Sequence, residues 1–421
     1  MSHTRAYEKR VRRRISGRTQ QFFAAAAPGL EDLLYQEVLS LPVVLEDVIQ
    51  VQGGVLFRGK VHDCYKANLH LRTANRILMR IVEFKATNFR QLKKKLSGIE
   101  WELYLQPNMI PLINVSARHS RLFHSDAIES YFQDAIRLRF ETLSLDEPMS
   151  INKNVQHGVY VRISDDVFTV SIDSSGELLY KRGLKTHAAL APVRETIAAA
   201  TFRLAGYSGV SILVDPMCGS GTFSLEGAMI ANKIPAGWFR KFAFEEWPCF
   251  RPEMWNHIRR EAEEKIICLD RISVFSSDTD ETACRRLADT ISENGFQNTI
   301  SVSNRNFFDI SAADFTSQAG HEEAGLVVIN PPYGIRIGTP GNSKKIFNNI
   351  LKKLFHDFAG WKFALIVPQD IIGKSRLFPM KTYPFFHGGV NLVIALGRVP
   401  STAQGRTGEP KTTKTKNRLI E

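Results

Sequence analysis

The chain of 421 residues is poor in cysteine, has no long apolar run and has no acidic excess. Its five cysteines are scattered and none forms a Cys-x-x-Cys pair, which argues against structural zinc and for a reduced, cytoplasmic setting. No stretch reaches the ~18 consecutive apolar residues of a transmembrane helix, and the charged N-terminus lacks the apolar middle of a signal peptide. We therefore expect a cytoplasmic protein of two or three domains, without a membrane or metal partner.

Positive charge is concentrated at the two ends of the chain. Residues 1–20 hold seven Lys/Arg against one acid, and residues 398–421 hold six against two, out of a net charge of +12. Basic tails suggest a polyanion partner such as nucleic acid, although solvated tails without a specific role explain them equally well. Because residues 1–20 and 401–421 lack apolar periodicity, both are predicted to be disordered.

Short mixed elements between residue 21 and about residue 175 predict an α+β region. The predicted strands are 21–25, 43–52, 55–57, 159–164 and 167–173, and the predicted helices are 30–41, 61–81 and 125–141.

From residue 194 onward, helices alternate with strongly apolar strands, which is typical of a doubly wound α/β sheet. The predicted strands are 211–215, 273–278, 300–303, 326–329, 362–367, 383–387 and 390–396. Only two glycines separate the last two strands, so these must pair antiparallel as a hairpin. The segment 233–272, with three tryptophans, is longer than such a link needs, and we interpret its tryptophans as local core.

A glycine-rich loop, Asp-Pro-Met-Cys-Gly-Ser-Gly-Thr at residues 215–222, joins the first α/β strand to its helix. Such loops lie at the carboxyl end of the sheet, where glycines let backbone amides approach a ligand. The loop is neither a Walker loop nor a Gly-x-Gly-x-x-Gly motif, and a tight turn would explain it as well. Its candidate ligand-binding residues are Asp215, Cys218, Gly219, Ser220, Gly221 and Thr222, with the Cys218 thiol expected to pack rather than react.

The next three strands of this sheet also end in polar residues. Asp278 ends the second strand, where an acid typically holds ribose hydroxyls. Asp309 follows the third strand, behind two phenylalanines that could pack on an adenine, and Asn330 follows the fourth. Helix capping would explain Asp278 or Asp280 but not the whole series, so the series predicts a ligand site.

The fourth strand ends in Asn330-Pro331-Pro332-Tyr333. Two prolines cannot continue the strand's hydrogen-bond ladder, so the chain must leave the sheet there. The result is a rigid platform with an amide that can accept a hydrogen bond and a ring that can stack on something flat.

Together these motifs resemble those of class I S-adenosylmethionine-dependent methyltransferases, and the Asn-Pro-Pro-Tyr motif resembles their amine-methylating branch. The resemblance implies that the acceptor is a nitrogen conjugated to a flat group: adenine N6, guanine N2 or a glutamine side chain. Asn330 and the Pro331 carbonyl would accept its N–H groups and Tyr333 would stack on the base, with the methyl carbon roughly 3–3.5 Å away. No metal is needed.

The resemblance narrows to the THUMP-domain RNA methyltransferases, specifically the bacterial 23S rRNA guanine-N2 methyltransferases. It is carried by the two motifs above and by the segments Phe22…Gly29-Leu30-Glu31, Gln52–Val55, Arg72–Arg76, Leu178–Gly183 and Ala191–Ala200. It implies a ferredoxin-like lead-in at 21–50, a THUMP RNA-binding domain at 51–175 and a Rossmann-like methyltransferase domain at 185–400.

The same resemblance implies that Glu195 and Thr196 lie over the methionine end of the cofactor and that Arg336 contacts the substrate. Two features depart from the family. Ile335 stands where many relatives have Glu. The second, fused methyltransferase domain that makes 7-methylguanine in some members is lacking, so that activity is not expected.

The expected substrate is therefore a guanine in 23S rRNA. A tRNA guanine-N2 methyltransferase, an adenine-N6 enzyme and a non-catalytic ribosome-assembly factor remain the alternatives.

Overall fold

The computed structural model describes residues 2–107, 111–143, 158–184, 193–319, 324–332, 340–372 and 379–401. The chain divides into two compact units. The N-terminal unit comprises Met1–Ala200 and Met229–Cys268, and the C-terminal unit comprises Thr201–Ala228 and Leu269–Glu421. Each unit is built on its own seven-stranded sheet.

The strands are β1 (Gln20–Ala25), β2 (Glu46–Val51), β3 (Gly54–Gly59), β4 (Arg76–Lys85), β5 (Leu112–Arg118), β6 (Gly158–Ser164), β7 (Val167–Asp173), β8 (Leu213–Asp215), β9 (Val274–Asp278), β10 (Ile300–Asn304), β11 (Leu326–Ile329), β12 (Lys362–Pro368), β13 (Met380–His387) and β14 (Val390–Arg398).

The α-helices are α1 (Ser2–Val11), α2 (Glu31–Leu39), α3 (Val61–His70), α4 (Phe89–Leu96), α5 (Ser125–Leu143), α6 (Glu195–Ala205), α7 (Thr222–Ala231), α8 (Pro252–Glu263), α9 (Glu281–Glu293), α10 (Ala312–Ala319) and α11 (Pro340–Asp357). None of the helices in the described ranges is both long enough and apolar enough to cross a membrane.

The sheet of the N-terminal unit has the strand order β2-β3-β1-β4-β7-β6-β5. All its strand pairs are antiparallel except β5–β6, which is parallel. The first four strands with α2 and α3 form a βαββαβ unit, the ferredoxin-like arrangement. The predicted lead-in over 21–50 is therefore drawn too short, because residue 50 lies inside β2, which pairs with β3.

The single helix predicted over 61–81 is wrong. Helix α3 ends at His70, and the chain re-enters the sheet at Arg76 as β4. Ile77 and Met79 are buried while their neighbours are less so, an alternation with the period of a strand. Pairing with β1 on one side and β7 on the other favours the strand.

The disorder predicted for residues 1–20 is also wrong. Helix α1 continues into a single π-helical turn at Arg12–Ser16, and β1 begins at Gln20. Val11 and Ile15 are buried in the core of the N-terminal unit. Two acids distant in sequence, Glu100 and Glu102, bind its arginines. The C-terminal tail prediction falls on residues 402–421, outside the described residues.

The tryptophan-rich segment is core, as predicted, but it belongs to the N-terminal unit. Phe244 stacks on Tyr65 of α3 with ring centroids 4.3 Å apart, and Trp255 meets Phe244 edge-on at 5.1 Å. Residues 229–268 thus interrupt the methyltransferase domain predicted over 185–400.

The sheet of the C-terminal unit has the strand order β10-β9-β8-β11-β12-β14-β13. β8 to β12 run parallel, and β14 and β13 form the antiparallel end predicted from the two glycines. The seven strands lie within three residues of their predicted bounds at each end. Successive strands are added on one side of β8 as far as β10 and on its other side from β11 onward. The carboxyl ends of β8, β9 and β11 therefore lie at the point of the sheet edge where doubly wound folds bind ligands.

Candidate active site

The loop after β8 is held from inside by Asp215. Its buried Oδ2 accepts hydrogen bonds from the backbone amide of Ser224 at 3.2 Å and from the Ser224 hydroxyl at 2.7 Å. The Ser276 hydroxyl on β9 donates in turn to the Ser224 hydroxyl at 2.8 Å. A carboxylate at the first turn of α7 also complements the helix dipole. The Asp215 side chain therefore binds the first turn of α7 and holds the loop between β8 and α7 in place.

Two glycines give the loop its path. Gly219 and Gly221 have φ angles of +51° and +73°, in the left-handed region that favours glycine. A Cβ at position 221 would lie 2.2 Å from Leu287 Cδ1 on α9, whereas a Cβ at position 219 would meet nothing within 4 Å. Gly221 is thus required for packing, while the backbone at Gly219 borders open space that a ligand can occupy.

Asp278 connects the end of β9 to this loop. Its Oδ2 accepts a hydrogen bond from the Gly219 amide at 2.8 Å, and its Oδ1 accepts one from the Asp280 amide at 3.0 Å. The helix cap belongs instead to Asp280, whose Oδ1 accepts from the amides of Thr282 and Ala283. Asp278 therefore ties the end of β9 to the loop, and its side chain remains partly exposed.

The side chains of Cys218, in the loop, and Cys284, on α9, lie side by side. The Cys218 backbone amide bonds to the Ser277 carbonyl at 3.0 Å, and the Cys284 Sγ lies 3.6 Å from the Asp278 carbonyl oxygen. A hydrogen bond from the Cys218 thiol lowers the pKa of Cys284 to about 7, and the same bond, together with burial, raises the pKa of Cys218. The buried Cys218 thiol stays protonated, in keeping with a packing role.

Asp309 ends a 3₁₀ turn, Phe307–Asp309, that follows β10. The expectation of an aromatic pair facing a ligand is half wrong, because Phe307 is buried in the core under α11. Phe308 remains 41% exposed and Asp309 is exposed beside it. The turn therefore presents one ring and one carboxylate to solvent.

Asn330 follows β11 at the same edge of the sheet as the loop after β8, its neighbour. Its side-chain oxygen Oδ1 is buried and accepts no hydrogen bond from any residue within the described ranges. A buried acceptor without a donor costs about 1–3 kcal/mol. Pro331 is buried and Pro332 is exposed, while Tyr333 and Arg336 lie outside the described residues.

Glu195 and Thr196 begin α6. The buried Thr196 hydroxyl donates to the side-chain oxygen of Asn75 at 3.1 Å, a contact within the N-terminal unit. Their predicted place over the cofactor stays a prediction. No group of three His, Cys, Asp or Glu side chains in the described parts of the chain is arranged to hold a metal ion.

Sequence reasoning missed Ser224, Ser276 and Leu287, which hold the loop without facing its ligand side. A hydroxyl between Phe223 and Leu225 in the mostly apolar α7 was the available signal for Ser224. Leu287 and Ser276 gave no signal, because their contacts arise only when β9 and α9 pack against the loop.

The methyltransferase domain described as RMKL-like matches residues 182–375, and the RlmL ferredoxin-like domain matches residues 21–78. "Putative RNA methyltransferase YpsC" of Bacillus subtilis is 31% identical over 353 residues, 82% of this chain and 87% of that protein. Ribosomal RNA large subunit methyltransferase K/L of Methylococcus capsulatus is 32% identical over 355 residues, 83% of this chain and 47% of that protein.

The chain therefore spans about half the length of the K/L relatives that it matches. Among solved structures, SMU.472 complexed with SAH superposes with a TM-score of 0.78 at 26% identity, over 91% of this chain and 98% of that one. The chain belongs to the family of S-adenosylmethionine-dependent RNA methyltransferases that combine an RlmL-type ferredoxin-like domain with an RMKL-like methyltransferase domain.

Proposed function

We propose that this protein methylates the exocyclic N2 amine of a guanine in RNA, with 23S rRNA as the substrate. The observation that carries the proposal is the buried, unpartnered Oδ1 of Asn330 at the carboxyl end of β11. An amide oxygen there can accept an N–H from a base amine. Because no described residue donates a hydrogen bond to this oxygen, the oxygen is available to the amine of a bound base.

The chemistry of an exocyclic amine explains why the site needs acceptors. Its lone pair is delocalised into the ring, which makes the nitrogen a poor nucleophile. Acceptance of its N–H groups by Asn330 and by the Pro331 carbonyl favours a pyramidal nitrogen with an available lone pair. Tyr333 would stack on the base and Arg336 would contact the substrate. No strong base is required, because the proton leaves after the methyl group is attached.

The residues at the other strand ends fit an adenosyl cofactor. S-adenosylmethionine supplies an electrophilic methyl group when bound. Asp278 would hold the ribose hydroxyls, and the loop amides around Gly219 border the open space beside it. Asp309 and the exposed ring of Phe308 would face the adenine, and Glu195 and Thr196 the methionine end. The complex of the relative SMU.472 with SAH, the product of methyl donation, supports this assignment.

An RNA substrate is supported by the charge of the N-terminal unit as well as by the names of the relatives. Helix α4 buries Leu92 and Leu96 and exposes Arg90, Lys93, Lys94 and Lys95. A row of cations opposite an apolar stripe suits a phosphate backbone. The proposed RNA-binding THUMP domain includes this helix, and a cytoplasmic location follows from the substrate.

The test is transfer of labelled methyl groups from S-adenosylmethionine to protein-free 23S rRNA, to tRNA and to duplex DNA. We expect label only in 23S rRNA, and mass analysis of its nucleosides should show N2-methylguanosine. The Asn330→Ala protein is the matched control for contaminating activity.

Each other outcome points to a named alternative. Label only in tRNA would indicate a tRNA guanine-N2 methyltransferase. Detection of N6-methyladenosine would indicate that adenine N6, and not guanine N2, is the acceptor. Cofactor binding with no incorporation into any of the three would favour an assembly factor and contradict the proposal.

A further inference from the structure

The segment before β1 lies outside the region that matches the family and is nevertheless folded. α1 and the π-helical turn after it place Tyr7, Val11 and Ile15 against the N-terminal unit. The Tyr7 hydroxyl donates to the backbone carbonyl of Glu102 at 2.5 Å. We call residues 2–16 the N-terminal helix.

Glu102 is the anchor of this helix. Its side chain is fully buried, and Oε1 accepts from Arg10 Nη2 at 2.5 Å and from Arg139 Nη2 at 2.7 Å. Arg139 Nε donates to the other oxygen at 2.9 Å. Arg14 pairs with Glu100 beside it. A buried carboxylate is tolerated only when it is paired in this way, so Arg10 is held firmly.

The far end of the N-terminal helix is held as well. The Gln20 side-chain amide donates to the carbonyl oxygens of Arg14 and Ile15 at 3.3 and 3.0 Å. Lys60 Nζ donates to the Gly17 carbonyl at 3.1 Å. Because carbonyls at the end of a helix otherwise lack partners, these contacts fix the orientation of the helix.

The opposite face of the helix is cationic. Lys9, Arg12 and Arg13 lie three and four residues apart around one side, away from Val11 and Ile15, and all three are exposed. Arg18 follows in the turn. None of these four forms an ion pair with another described residue. Arrayed guanidinium groups match phosphate oxygens geometrically, and a fixed helix presents them with less loss of side-chain and backbone freedom than a disordered tail.

We infer that the N-terminal helix is a preformed phosphate-binding surface that adds a sequence-independent contact to the RNA backbone. The identity of the polyanion as RNA rests on the proposed function. The anchoring by Glu102 and the free cations of the outer face are observed independently of it.

The test is the salt dependence of RNA binding by the full chain. The probes are protein-free 23S rRNA and a poly(U) oligonucleotide, with Arg12→Gln/Arg13→Gln compared with wild type. Each lost phosphate contact should reduce the magnitude of the slope of log K against log salt by about 0.7–0.9. The slope of the double variant on 23S rRNA should therefore fall by about 1.4–1.8 in magnitude. Because the contact is independent of sequence, the slope on poly(U) should fall as well.

Arg285→Gln/Arg286→Gln is the matched control, because it removes two adjacent exposed arginines from another helix, α9. Its slope should equal that of wild type. An unchanged slope for Arg12→Gln/Arg13→Gln, or an equal drop in both variants, would overturn the inference. So would binding to phosphatidylglycerol vesicles that depends on Arg12 and Arg13 while RNA binding does not. Since the assay measures binding alone, loss of methyl transfer to RNA would contradict the proposed function and leave this result standing.

Discussion

The carboxylate of Asp278 accepts a hydrogen bond from the backbone amide of Gly219, 2.8 Å away. This contact ties the end of β9 to the glycine-rich loop after β8. The second oxygen of Asp278 accepts from the Asp280 amide and fixes the start of α9. One side chain thus shapes the loop and borders the space beside it, and its replacement should affect both.

Asp278→Ala is expected to raise the dissociation constant for S-adenosylmethionine by at least about tenfold, the effect of losing one charged hydrogen bond of about 1.5–3 kcal/mol. Asp278→Asn keeps an oxygen that can accept from Gly219 but loses the charge, so its constant should lie between those of wild type and Asp278→Ala. Titration calorimetry measures all three. Equal affinity for wild type and Asp278→Ala would refute the assignment.

Asn330→Ala is expected to lower the rate of methyl transfer by about 10²-fold or more while changing cofactor affinity little. The reason is that Asn330 is proposed to contact the acceptor amine and not the methyl donor. Single-turnover transfer and calorimetric titration separate the two effects. A large loss of cofactor binding in this variant would place Asn330 in the cofactor site instead.

The sequence was sufficient for the centre of the C-terminal sheet because β8, β9, β11 and β12 are buried on both faces. Runs such as Leu326–Ile329 are apolar without interruption, and prolines or polar residues end them sharply. The position of the candidate site could also be predicted, because the carboxyl ends of parallel strands lie at one edge of the sheet. The contribution of Ser224 and Leu287 did not follow, because both act through tertiary packing onto the loop.

The two failures in the N-terminal unit have a different origin. Ala74, Ile77 and Leu78 fit a helical spacing, whereas the pair Ile77 and Met79 fits an alternating one. Only pairing with β1 and β7 decides between the two. The N-terminal helix reads as a charged tail because its anchor, Glu102, lies 92 residues beyond Arg10. Neither partner is visible in a local window of sequence.

The two glycines of the loop should respond differently to alanine. Gly219→Ala meets open space and costs only the left-handed backbone strain, about 1–2 kcal/mol. Gly221→Ala adds a clash with the buried Leu287, so we expect a further loss of about 1–3 kcal/mol and weaker cofactor binding. Thermal unfolding of both variants tests the order.

Gly221→Ala/Leu287→Ala provides a control for the clash, because it removes the side chain that the new methyl group would meet. The double variant should bind cofactor better than Gly221→Ala despite its smaller core. If it binds no better, the clash is not the cause.

His70 at the end of α3 should make the N-terminal unit sensitive to acid. Burial, together with the charges of Lys265, Arg72 and Lys66, lowers its pKa to about 4 from 6.5. Between these two values the unfolded chain binds more protons at this position than the folded chain, so the free energy of unfolding falls as pH falls. The contribution is fully present above pH 6.5 and is lost by about pH 4, with an upper limit of about 3 kcal/mol.

The free energy of unfolding should therefore fall less between pH 6.5 and pH 4 in His70→Gln than in wild type. Urea unfolding of the N-terminal unit measures this difference. His257→Gln is the control for loss of an imidazole. Identical pH profiles for wild type and His70→Gln would show that His70 does not titrate in this way.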